Sequence, residues 1–248
     1  MKVFGLKFSD VSQDGLVAMM TRPQPPEEEG ARVIHTANLD HIVQLGRNAA
    51  FRAAYDDAWI VTADGTPVFL YAKLRGARNL PRLTGSDLFR TLLPRLDPNA
   101  HRCFFVASSH ATARVLTRDL QARGFSAPAL RIAVPPFGFE SDQTYSQRLA
   151  DEIRGHGATH LFFGLGAPKS EIWIHRHKSQ IGNCYVLSVG AALDFVAGTK
   201  RRAPDWMQAT GLEWLYRFSQ EPQRLFRRYF VDSWAFLAAV RRDLAGRH

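Results

Sequence analysis

Six short apolar runs, separated by segments of helical character, constrain the fold of this chain more than any other feature. They read RVIHTAN, AWIVTAD, CFFVAS, LRIAV, LFFGLG and CYVLSVG. Short runs rich in β-branched and aromatic residues predict strands, and strands that alternate with helices predict βαβ units. We therefore expect an α/β, Rossmann-like fold with a mostly parallel sheet and flanking helices.

Two of the intervening segments have clear helix boundaries. Ser108 or Ser109 is suited to cap a helix that ends before Gly124, and Asp142 is suited to cap one that ends before Gly155. Serine and aspartate side chains accept hydrogen bonds from the backbone N–H groups at a helix start, and glycine commonly follows a helix end. Both helices are predicted to be structural.

Cysteine content and hydropathy predict the cellular compartment. The chain has 248 residues, 46% of them hydrophobic, and its two cysteines, Cys103 and Cys184, lie inside apolar runs. Two buried thiols in a reducing compartment fit this placement better than a disulfide or a metal site. The start MKVFGLKFSD lacks a signal-peptide core, and no uninterrupted apolar stretch is long enough to span a membrane. We expect a cytoplasmic protein that is neither secreted nor integral to a membrane.

Positive charge is concentrated near the carboxyl terminus. The formal net charge is +9, and residues 200–248 hold ten lysines or arginines and five acidic residues. Nine aromatic residues lie between Trp206 and Phe236. Arginine mixed with aromatic residues is typical of surfaces that meet phosphate head groups or nucleic acid. We expect a catalytic domain over residues 1–199 and a helical, basic-aromatic appendage over residues 200–248.

Polar residues follow the first two predicted strands at their carboxyl ends, where open parallel sheets bind ligands. Thr36, Asn38 and Asp40 follow the first strand, and Asp64 with Gly65 follows the second. Partial burial between a strand and a glycine raises a carboxyl pKa, which suits Asp64 to act as a general base. The alternative is that Asp64 caps the next helix, and that Thr36 and Asn38 form turns.

The stretch LFFGLGAPKSEIW, residues 161–173, ends a predicted strand in a glycine-rich turn. Such a turn before a helix presents backbone N–H groups to an anion such as phosphate. The spacing of Gly164, Gly166 and Lys169 matches neither the dinucleotide-binding fingerprint nor the phosphate loop of nucleotide hydrolases. A tight strand-to-helix connection is the alternative interpretation.

Two arginines are candidates for holding phosphate. Arg82 precedes Thr84, a suitable helix cap, and Arg202 belongs to the basic segment AGTKRRAP. The alternative for each is a solvated surface charge. The chain contains no Asp-x-Asp triplet, the usual means of holding a divalent ion on a nucleotide sugar. We therefore expect no metal and no cofactor.

With these residues in view, the sequence resembles the WecG/TagA/CpsF glycosyltransferases, glycosyltransferase family 26, over nearly its whole length. The matching segments are TANLDHIVQL, TADGTPV, RLTGSDL, GLGAPKSE, SVGAALDFVAGTKRRAP and GLEWLYRFSQEPQRLFRRY. The resemblance implies a membrane-associated cytoplasmic enzyme, peripheral on the inner face of the cell membrane. Such an enzyme moves a sugar from a UDP-sugar to a polyprenyl-pyrophosphate-linked sugar with inversion, and it builds cell-surface polysaccharide.

The resemblance also implies roles for particular residues. Asp64 is implied to be the general base, with Thr36 and Asn38 in its pocket, and Arg82 is implied to engage the pyrophosphate. One more set is implied to contact the substrates: Gly164, Gly166, Pro168, Lys169, Ser170, Glu171 and Arg202. Ser170 stands where the family has glutamine. The serine hydroxyl cannot reach as far as a glutamine amide. The contact that the glutamine makes with nucleotide or sugar is therefore predicted to differ here.

The appendage has two interpretations. Arg217, Arg224, Arg227 and Arg228 are predicted to contact an anionic membrane surface or the acceptor pyrophosphate. Alternatively, the appendage packs its aromatic residues on the core and leaves its arginines in water. The sequence pI near 10.0 also suits a non-catalytic nucleic-acid-binding protein, but that function would leave Asp64 and the glycine-rich turn unused. We therefore expect partners that do not include nucleic acid. A nicotinamide-dependent oxidoreductase is separately disfavoured by the incomplete fingerprint.

Overall fold

A six-stranded sheet forms the centre of the computed structural model, which describes residues 2–22, 30–220, 222–226 and 232–246. Every pair of neighbouring strands is parallel, and the spatial order is β2-β1-β6-β5-β3-β4. The expectation of an α/β, Rossmann-like fold with a mostly parallel sheet is confirmed. The strands are β1 Arg32–Ala37, β2 Ile60–Ala63, β3 Cys103–Val106, β4 Leu130–Ala133, β5 His160–Phe163 and β6 Tyr185–Ser188.

Helices connect and cover the strands. In the described residues they are α1 Gln13–Met20, α2 Leu39–Leu45, α3 Ala49–Asp56, α4 Thr66–Leu74, α5 Gly85–Leu92, α6 His110–Ala122, α7 Gln143–His156, α8 Lys169–His177, α9 Ala192–Val196, α10 Asp205–Ala209, α11 Glu213–Gln220, α12 Pro222–Phe226 and α13 Asp232–Leu244. Short 3-10 turns lie at Leu93–Arg95 and Phe139–Ser141.

Two predicted helix starts are confirmed and one predicted end is wrong. Ser109 caps α6 and Asp142 caps α7, each accepting a hydrogen bond from the backbone N–H three residues later. Helix α7 passes through Gly155 and ends before Gly157, whose φ of +65° is the left-handed conformation that favours glycine. Of the two candidate glycines, the one with the left-handed backbone ends the helix.

The strands are apolar throughout because both faces of the sheet are covered. Successive side chains of a strand point to opposite faces, so Phe104 and Phe105 belong to different hydrophobic clusters. Phe105 packs with Phe162 and with Phe89 of α5, whereas Phe104 lies in the cluster that contains Trp173 of α8. This two-sided burial explains why the runs lack the polar alternation of a half-exposed strand.

The two cysteines confirm the prediction of buried, unpaired thiols. Cys103 and Cys184 are both fully buried and free. Burial raises the pKa of each thiol to about 12, because the thiolate loses its hydration in an apolar interior. Neither is suited to nucleophilic chemistry.

Within the described part of the chain, no helix is long and apolar enough to cross a bilayer.

The last 49 residues form several short helices. Gly211, with φ +76°, separates α10 from α11. Helix α13 packs on α2 and buries Phe236 and Ala239 in the cluster that also holds residues of α2, α3 and α4. The division into domains at residue 199 stays a prediction.

Candidate functional site

A cavity of about 360 Å³ opens at the carboxyl ends of β1 and β2. Four of the predicted site residues line it together, namely Asn38, Asp64, Arg82 and Arg202. These residues are up to 164 positions apart in sequence and meet because parallel strands deliver their following loops to one edge. The wall is completed by Leu39, Asp40, Gly65, Thr66, Pro67, Thr84, Ser86, Asp87 and, from the last helices, Gln208, Gly211, Glu213 and Trp214.

Asp64 is fixed at the end of β2 by its backbone. Its N–H donates to the carbonyl of Ala37 at 2.9 Å, which extends the β1–β2 pairing by one residue. The N-cap residue of α4 is Gly65, with φ +85° and no side chain to cap the helix. The N-cap position of α4 is therefore occupied by Gly65 and not by Asp64. Its carboxylate instead belongs to the cavity wall, where a base must be to meet a substrate hydroxyl.

Asn38 and Thr36 have different surroundings. Asn38 caps α2, its Oδ1 accepting from the N–H of His41 at 3.2 Å, so it is both a turn former and a wall residue. Thr36 is buried at the end of β1 and is not part of the cavity wall. A Cβ built on Gly85 would lie 3.2 Å from its Oγ1, so Thr36 packs against the start of α5.

Arg82 reaches across the cavity toward the last helices. Its guanidinium lies 3.3 Å from Oγ1 of Thr66 and 3.5 Å from the carbonyl of Gln208. Both contacts are long, and the side chain is exposed. A guanidinium that is exposed and whose contacts with neutral groups are long is suited to bind an anionic ligand.

Arg202 is held against the start of α5. Its Nη2 donates to Oδ1 of Asp87 at 2.8 Å, and its buried Nε has no hydrogen-bond partner among the described residues. Burial acts to raise the pKa of the Asp87 carboxyl, but the hydrogen bond from Thr84 and the charge of Arg202 outweigh it and lower that pKa. The ion pair therefore persists at neutral pH and fixes the guanidinium in the wall.

The glycine-rich turn lies after β5, outside the residues that line the cavity. A Cβ on Gly164 would lie 2.5 Å from Cδ1 of Leu193, so this glycine permits α9 to pack closely on the sheet. Gly166 has φ +83° with open space around it, and the peptide bond before Pro168 is cis. The packing role of the first glycine is one that the sequence alone did not indicate.

Lys169 begins α8 and faces the loop that follows β4. Its Nζ lies 2.6 Å from Oε1 of Glu140 and 4.4 Å from the centre of the Phe137 ring. Phe137 is fully exposed. The ends of β4 and β5 thus form a second polar cluster, with an aromatic face and a lysine, separate from the wall of the cavity.

Ser170 and Glu171 lie beneath the surface. Ser170 donates to the carbonyl of Gly166 at 3.3 Å and is buried. Glu171 is 2% exposed, and its Oε2 has no hydrogen-bond partner among the described residues. Burial raises the pKa of Glu171 to about 7, and the charge of Asp40 in the cavity wall adds to the rise. Glu171 is therefore buried, and its carboxyl group is close enough to Asp40 for the two charges to interact.

Several residues of the site were not among the predicted ones. Asp87 has no sequence signal, since its partner Arg202 is 115 residues away. Thr84 was expected as a helix cap and accepts from the N–H of Asp87 at 3.0 Å, but its place in the cavity wall was not foreseen. Glu213 and Trp214 come from a segment that was assigned wholly to the appendage.

The contacts predicted for the four arginines of the appendage stay predictions. Arg227 and Arg228 lie outside the described residues. Arg217 and Arg224 lie in α11 and α12, and their side chains are likewise outside what the structure describes. Among the described residues, no group of three or more histidine, cysteine, aspartate or glutamate side chains is arranged to hold a metal ion.

The chain is similar over its whole length to a family of known proteins. Residues 1–248 match the "Glycosyl transferase WecG/TagA/CpsF family". A relative from Bacillus spizizenii is 29% identical over 230 residues, which cover 92% of this chain and 86% of the relative. A second, from Bacillus subtilis, is 26% identical and covers 82% and 77%. A third, from Staphylococcus aureus strain MW2, is 25% identical and covers 78% and 74%. All three are named N-acetylglucosaminyldiphosphoundecaprenol N-acetyl-beta-D-mannosaminyltransferase.

Proposed function

Because the chain belongs to the WecG/TagA/CpsF glycosyltransferase family, we propose that it transfers a sugar from a UDP-sugar to a sugar linked to polyprenyl diphosphate. One observation supports the reaction most directly. Asp64, Arg82 and Arg202 line one cavity at the carboxyl edge of a parallel sheet. This arrangement combines a base for an acceptor hydroxyl with cationic groups for a diphosphate, the two requirements of sugar transfer from a nucleotide donor.

In the proposed reaction Asp64 takes the proton of the acceptor hydroxyl as that oxygen attacks the anomeric carbon. The bond to the diphosphate of UDP breaks on the opposite face, so the configuration inverts. A single carboxylate base suits this one-step displacement. Asn38, next to Asp64 in the wall, is proposed to orient a sugar hydroxyl or amide through its side chain.

The arginines are proposed to stabilise the diphosphates. Arg82 has an exposed guanidinium with two long neutral contacts, and Arg202 is held beside the start of α5 by Asp87. Guanidinium groups bind phosphate through two parallel hydrogen bonds and retain their charge at all relevant pH values. We assign charge stabilisation of the leaving UDP or of the acceptor diphosphate to this pair.

The glycine-rich turn and its neighbours are proposed to hold the nucleotide part of the donor. Lys169 and the exposed ring of Phe137 stand at the carboxyl ends of β5 and β4, on the same edge of the sheet as the cavity. Ser170 is too deeply buried to contact a ligand directly. We propose that it affects nucleotide binding indirectly, through its hydrogen bond to the carbonyl of Gly166 in the turn.

The acceptor is proposed to be a lipid-linked sugar, because the named relatives act on N-acetylglucosaminyldiphosphoundecaprenol. A lipid acceptor requires the cavity to approach a bilayer. The described part of the last 49 residues exposes several aromatic side chains, among them Trp206, Trp214, Phe226 and Trp234. Aromatic residues mixed with arginine favour the head-group region, so we propose a peripheral position on the inner face of the cell membrane.

A transfer assay tests the proposal directly. The enzyme is incubated with a short-chain polyprenyl diphosphate carrying N-acetylglucosamine and, separately, with UDP-glucose, UDP-N-acetylmannosamine and UDP-N-acetylmannosaminuronic acid. We expect UDP release and a disaccharide product with one of the three, and N-acetylmannosamine is favoured by the names of the relatives. No acceptor-dependent UDP release with any of the donors would contradict the proposed function.

A further inference from the structure

The outward face of helix α4 exposes two large apolar side chains. Leu74 is 84% exposed and Leu70 is 53% exposed. They are four residues apart and therefore lie one above the other on the same side of the helix. Val68 and Ala72, on the opposite side, are fully buried and fix the helix to the core. An apolar pair held so prominently on a rigid helix is an unusual surface for a protein in water.

The chain around this face is basic and has no acidic residue. From Gly65 to Ser86 the sequence contains Lys73, Arg75, Arg78 and Arg82 and neither aspartate nor glutamate. Arg75 pairs with the buried Asp243, and Nζ of Lys73 lies over the Phe69 ring at 5.4 Å. Arg78 is exposed beyond the helix end. Because Asp243 balances the charge of Arg75, the cations that flank the leucines are Lys73 and Arg78. Two leucines next to these cations are complementary to an anionic bilayer surface, where apolar side chains enter the interface and cations meet head groups.

Helix α4 also joins this face to the cavity. Thr66 and Pro67, in its first turn, line the cavity, and Leu74 is its last residue. Nine residues at about 1.5 Å each place the exposed leucines within roughly 14 Å of the cavity wall along the helix axis. A lipid-linked diphosphate sugar in the cavity must have its hydrocarbon chain in the bilayer, so a membrane contact is required at a short distance from the site.

The far end of α4 is anchored to α13. Asp243, which is buried, accepts hydrogen bonds from the hydroxyl of Tyr71 at 2.8 Å and from Arg75. On α13 the side chains of Trp234, Leu237 and Leu244 are exposed. The two helices are therefore joined through Asp243, and each has exposed apolar residues.

We propose that the Leu70–Leu74 face of α4 is a membrane-docking surface that inserts into an anionic bilayer and sets the distance of the cavity from the lipid-linked acceptor. The inference rests on the proposed function in requiring a lipid acceptor. The α4 face adds a membrane contact within residues 1–199 to the membrane contact proposed for the appendage. Removal of the two leucine side chains is expected to weaken docking even when every tail arginine is intact.

The test uses the full chain with Leu70→Gln and Leu74→Gln together. Sedimentation with vesicles of phosphatidylglycerol and phosphatidylcholine (3:7) is expected to show at least a fivefold loss of bound protein. The rate on long-chain acceptor embedded in those vesicles is expected to fall about tenfold. The rate on a water-soluble short-chain acceptor is expected to stay within twofold, because neither leucine touches the cavity wall.

Two matched variants sharpen the result. Leu70→Phe with Leu74→Phe retains the apolar face and should bind vesicles like the wild type. Arg78→Glu on the proposed surface should weaken binding, whereas Arg118→Glu on α6, a control at an exposed arginine far from this face in sequence, should not. Retention of binding by the glutamine variant would overturn the proposal, as would equal losses on both acceptors. Loss of self-association with unchanged vesicle binding would assign the face to a second copy of the chain and overturn it too.

Failure of the proposed reaction would be distinguishable from failure of this inference. If the wild type binds vesicles through the two leucines but releases no UDP with any donor, the docking surface stands and the proposed function fails. If the wild type transfers sugar to the soluble acceptor but does not sediment with vesicles, the docking surface fails and the proposed function stands.

Discussion

At the residue scale, similar carboxyl groups in this site have different environments and therefore different chemistry. Asp64 lies in the cavity wall, Asp87 is paired with Arg202, and Glu171 is buried. Pairing lowers the pKa of Asp87 against the effect of burial, whereas burial raises the pKa of Glu171 to about 7. Burial and charge partners, rather than residue type, thus distinguish an ion-pair partner from a group that is partly neutral near pH 7.

Substitution of Asp64 by asparagine is expected to reduce transfer by roughly a hundredfold or more, the usual range for loss of a general base. The amide retains the shape of the carboxyl group but cannot accept the acceptor's proton. UDP binding, measured by calorimetry, should change little. Asp14→Asn, at a largely exposed aspartate of α1, is the matched control and should have wild-type rates. Turnover near that of the wild type in the Asp64 variant would remove this residue from the mechanism.

Glu171 makes stability depend on pH in a defined direction. Its pKa is raised from 4.5 in the unfolded chain to about 7 in the fold, so its contribution is most favourable below pH 4.5 and is lost as pH rises to about 7. Glu171→Gln should therefore stabilise the fold more at pH 8 than at pH 5, by roughly 1–3 kcal/mol. Urea unfolding at both pH values measures this difference.

The exposed pair of Glu152 and Arg131 provides the control for that measurement. Glu152→Gln removes the same type of charge from the surface of α7 and should shift stability by less than about 1 kcal/mol at either pH. An equal effect of the two substitutions at both pH values would show that the Glu171 carboxyl is not specially destabilised by its burial.

At the element scale, close packing at the strand ends determines which segments approach the cavity. Gly164 brings α9 against the end of β5, and Gly85 brings the start of α5 against Thr36. Helix α13, although last in the chain, is fixed by Phe236 in the core and by Asp243. Small residues at these contacts and a buried carboxylate at the last one thus position helices that are remote in sequence.

Gly164→Ala is expected to destabilise the fold by about 1–3 kcal/mol, the usual effect of overpacking a filled interior. The added Cβ would lie 2.5 Å from Leu193 and 3.2 Å from the carbonyl of Val106. Gly155→Ala in α7 has open space around it and should be neutral or stabilising by up to about 1 kcal/mol. Thermal or urea unfolding of both variants gives the comparison, and equal stabilities would contradict the packing role of Gly164.

Asp243→Ala is expected to loosen α13 and to cost about 1–3 kcal/mol, the usual cost of leaving buried donors without their acceptor. The substitution leaves the N–H of Phe4, the hydroxyl of Tyr71 and the Arg75 guanidinium without their carboxylate. Hydrogen exchange should show faster exchange confined first to α13. Asp119→Ala, which removes an exposed partner of Arg118, should cost less than about 1 kcal/mol. Unchanged exchange in α13 would show that apolar packing holds the helix without Asp243.

At the scale of the whole molecule, strand order creates one functional edge. β6 and β5 lie at the middle of the sheet, with β1 and then β2 beyond β6 and with β3 and then β4 beyond β5. The loops after β1 and β2 supply the cavity with its carboxylate and amide, and those after β4 and β5 supply Phe137 and Lys169. Helices α10 and α11 complete the cavity wall through Gln208, Glu213 and Trp214. Residues of the appendage therefore form part of the cavity wall, in addition to the membrane contact proposed for the appendage.

Activity is expected to persist in excess EDTA. The sequence has no Asp-x-Asp triplet, and Arg82 and Arg202 are proposed to provide the positive charge that a divalent ion would otherwise supply at the diphosphate. The initial rate of UDP release, measured before and after chelation and after addition of Mg²⁺ or Mn²⁺, checks this. A rate that is abolished by EDTA and restored by either ion would contradict it.

The sequence by itself determined the alternation of strands and helices, the buried thiols and the helix caps at Ser109 and Asp142, because these depend on hydrophobic periodicity and on local hydrogen bonds. It also identified the family, through long segments that match in order. Only the tertiary structure decided that Arg202 pairs with Asp87. It also decided that Glu171 is buried, with its charge close enough to Asp40 to interact. The same holds for Gly164, where close packing of Leu193 requires the absence of a Cβ. These features depend on contacts between distant segments, and such contacts arise from strand order and packing, which leave no local pattern in the chain.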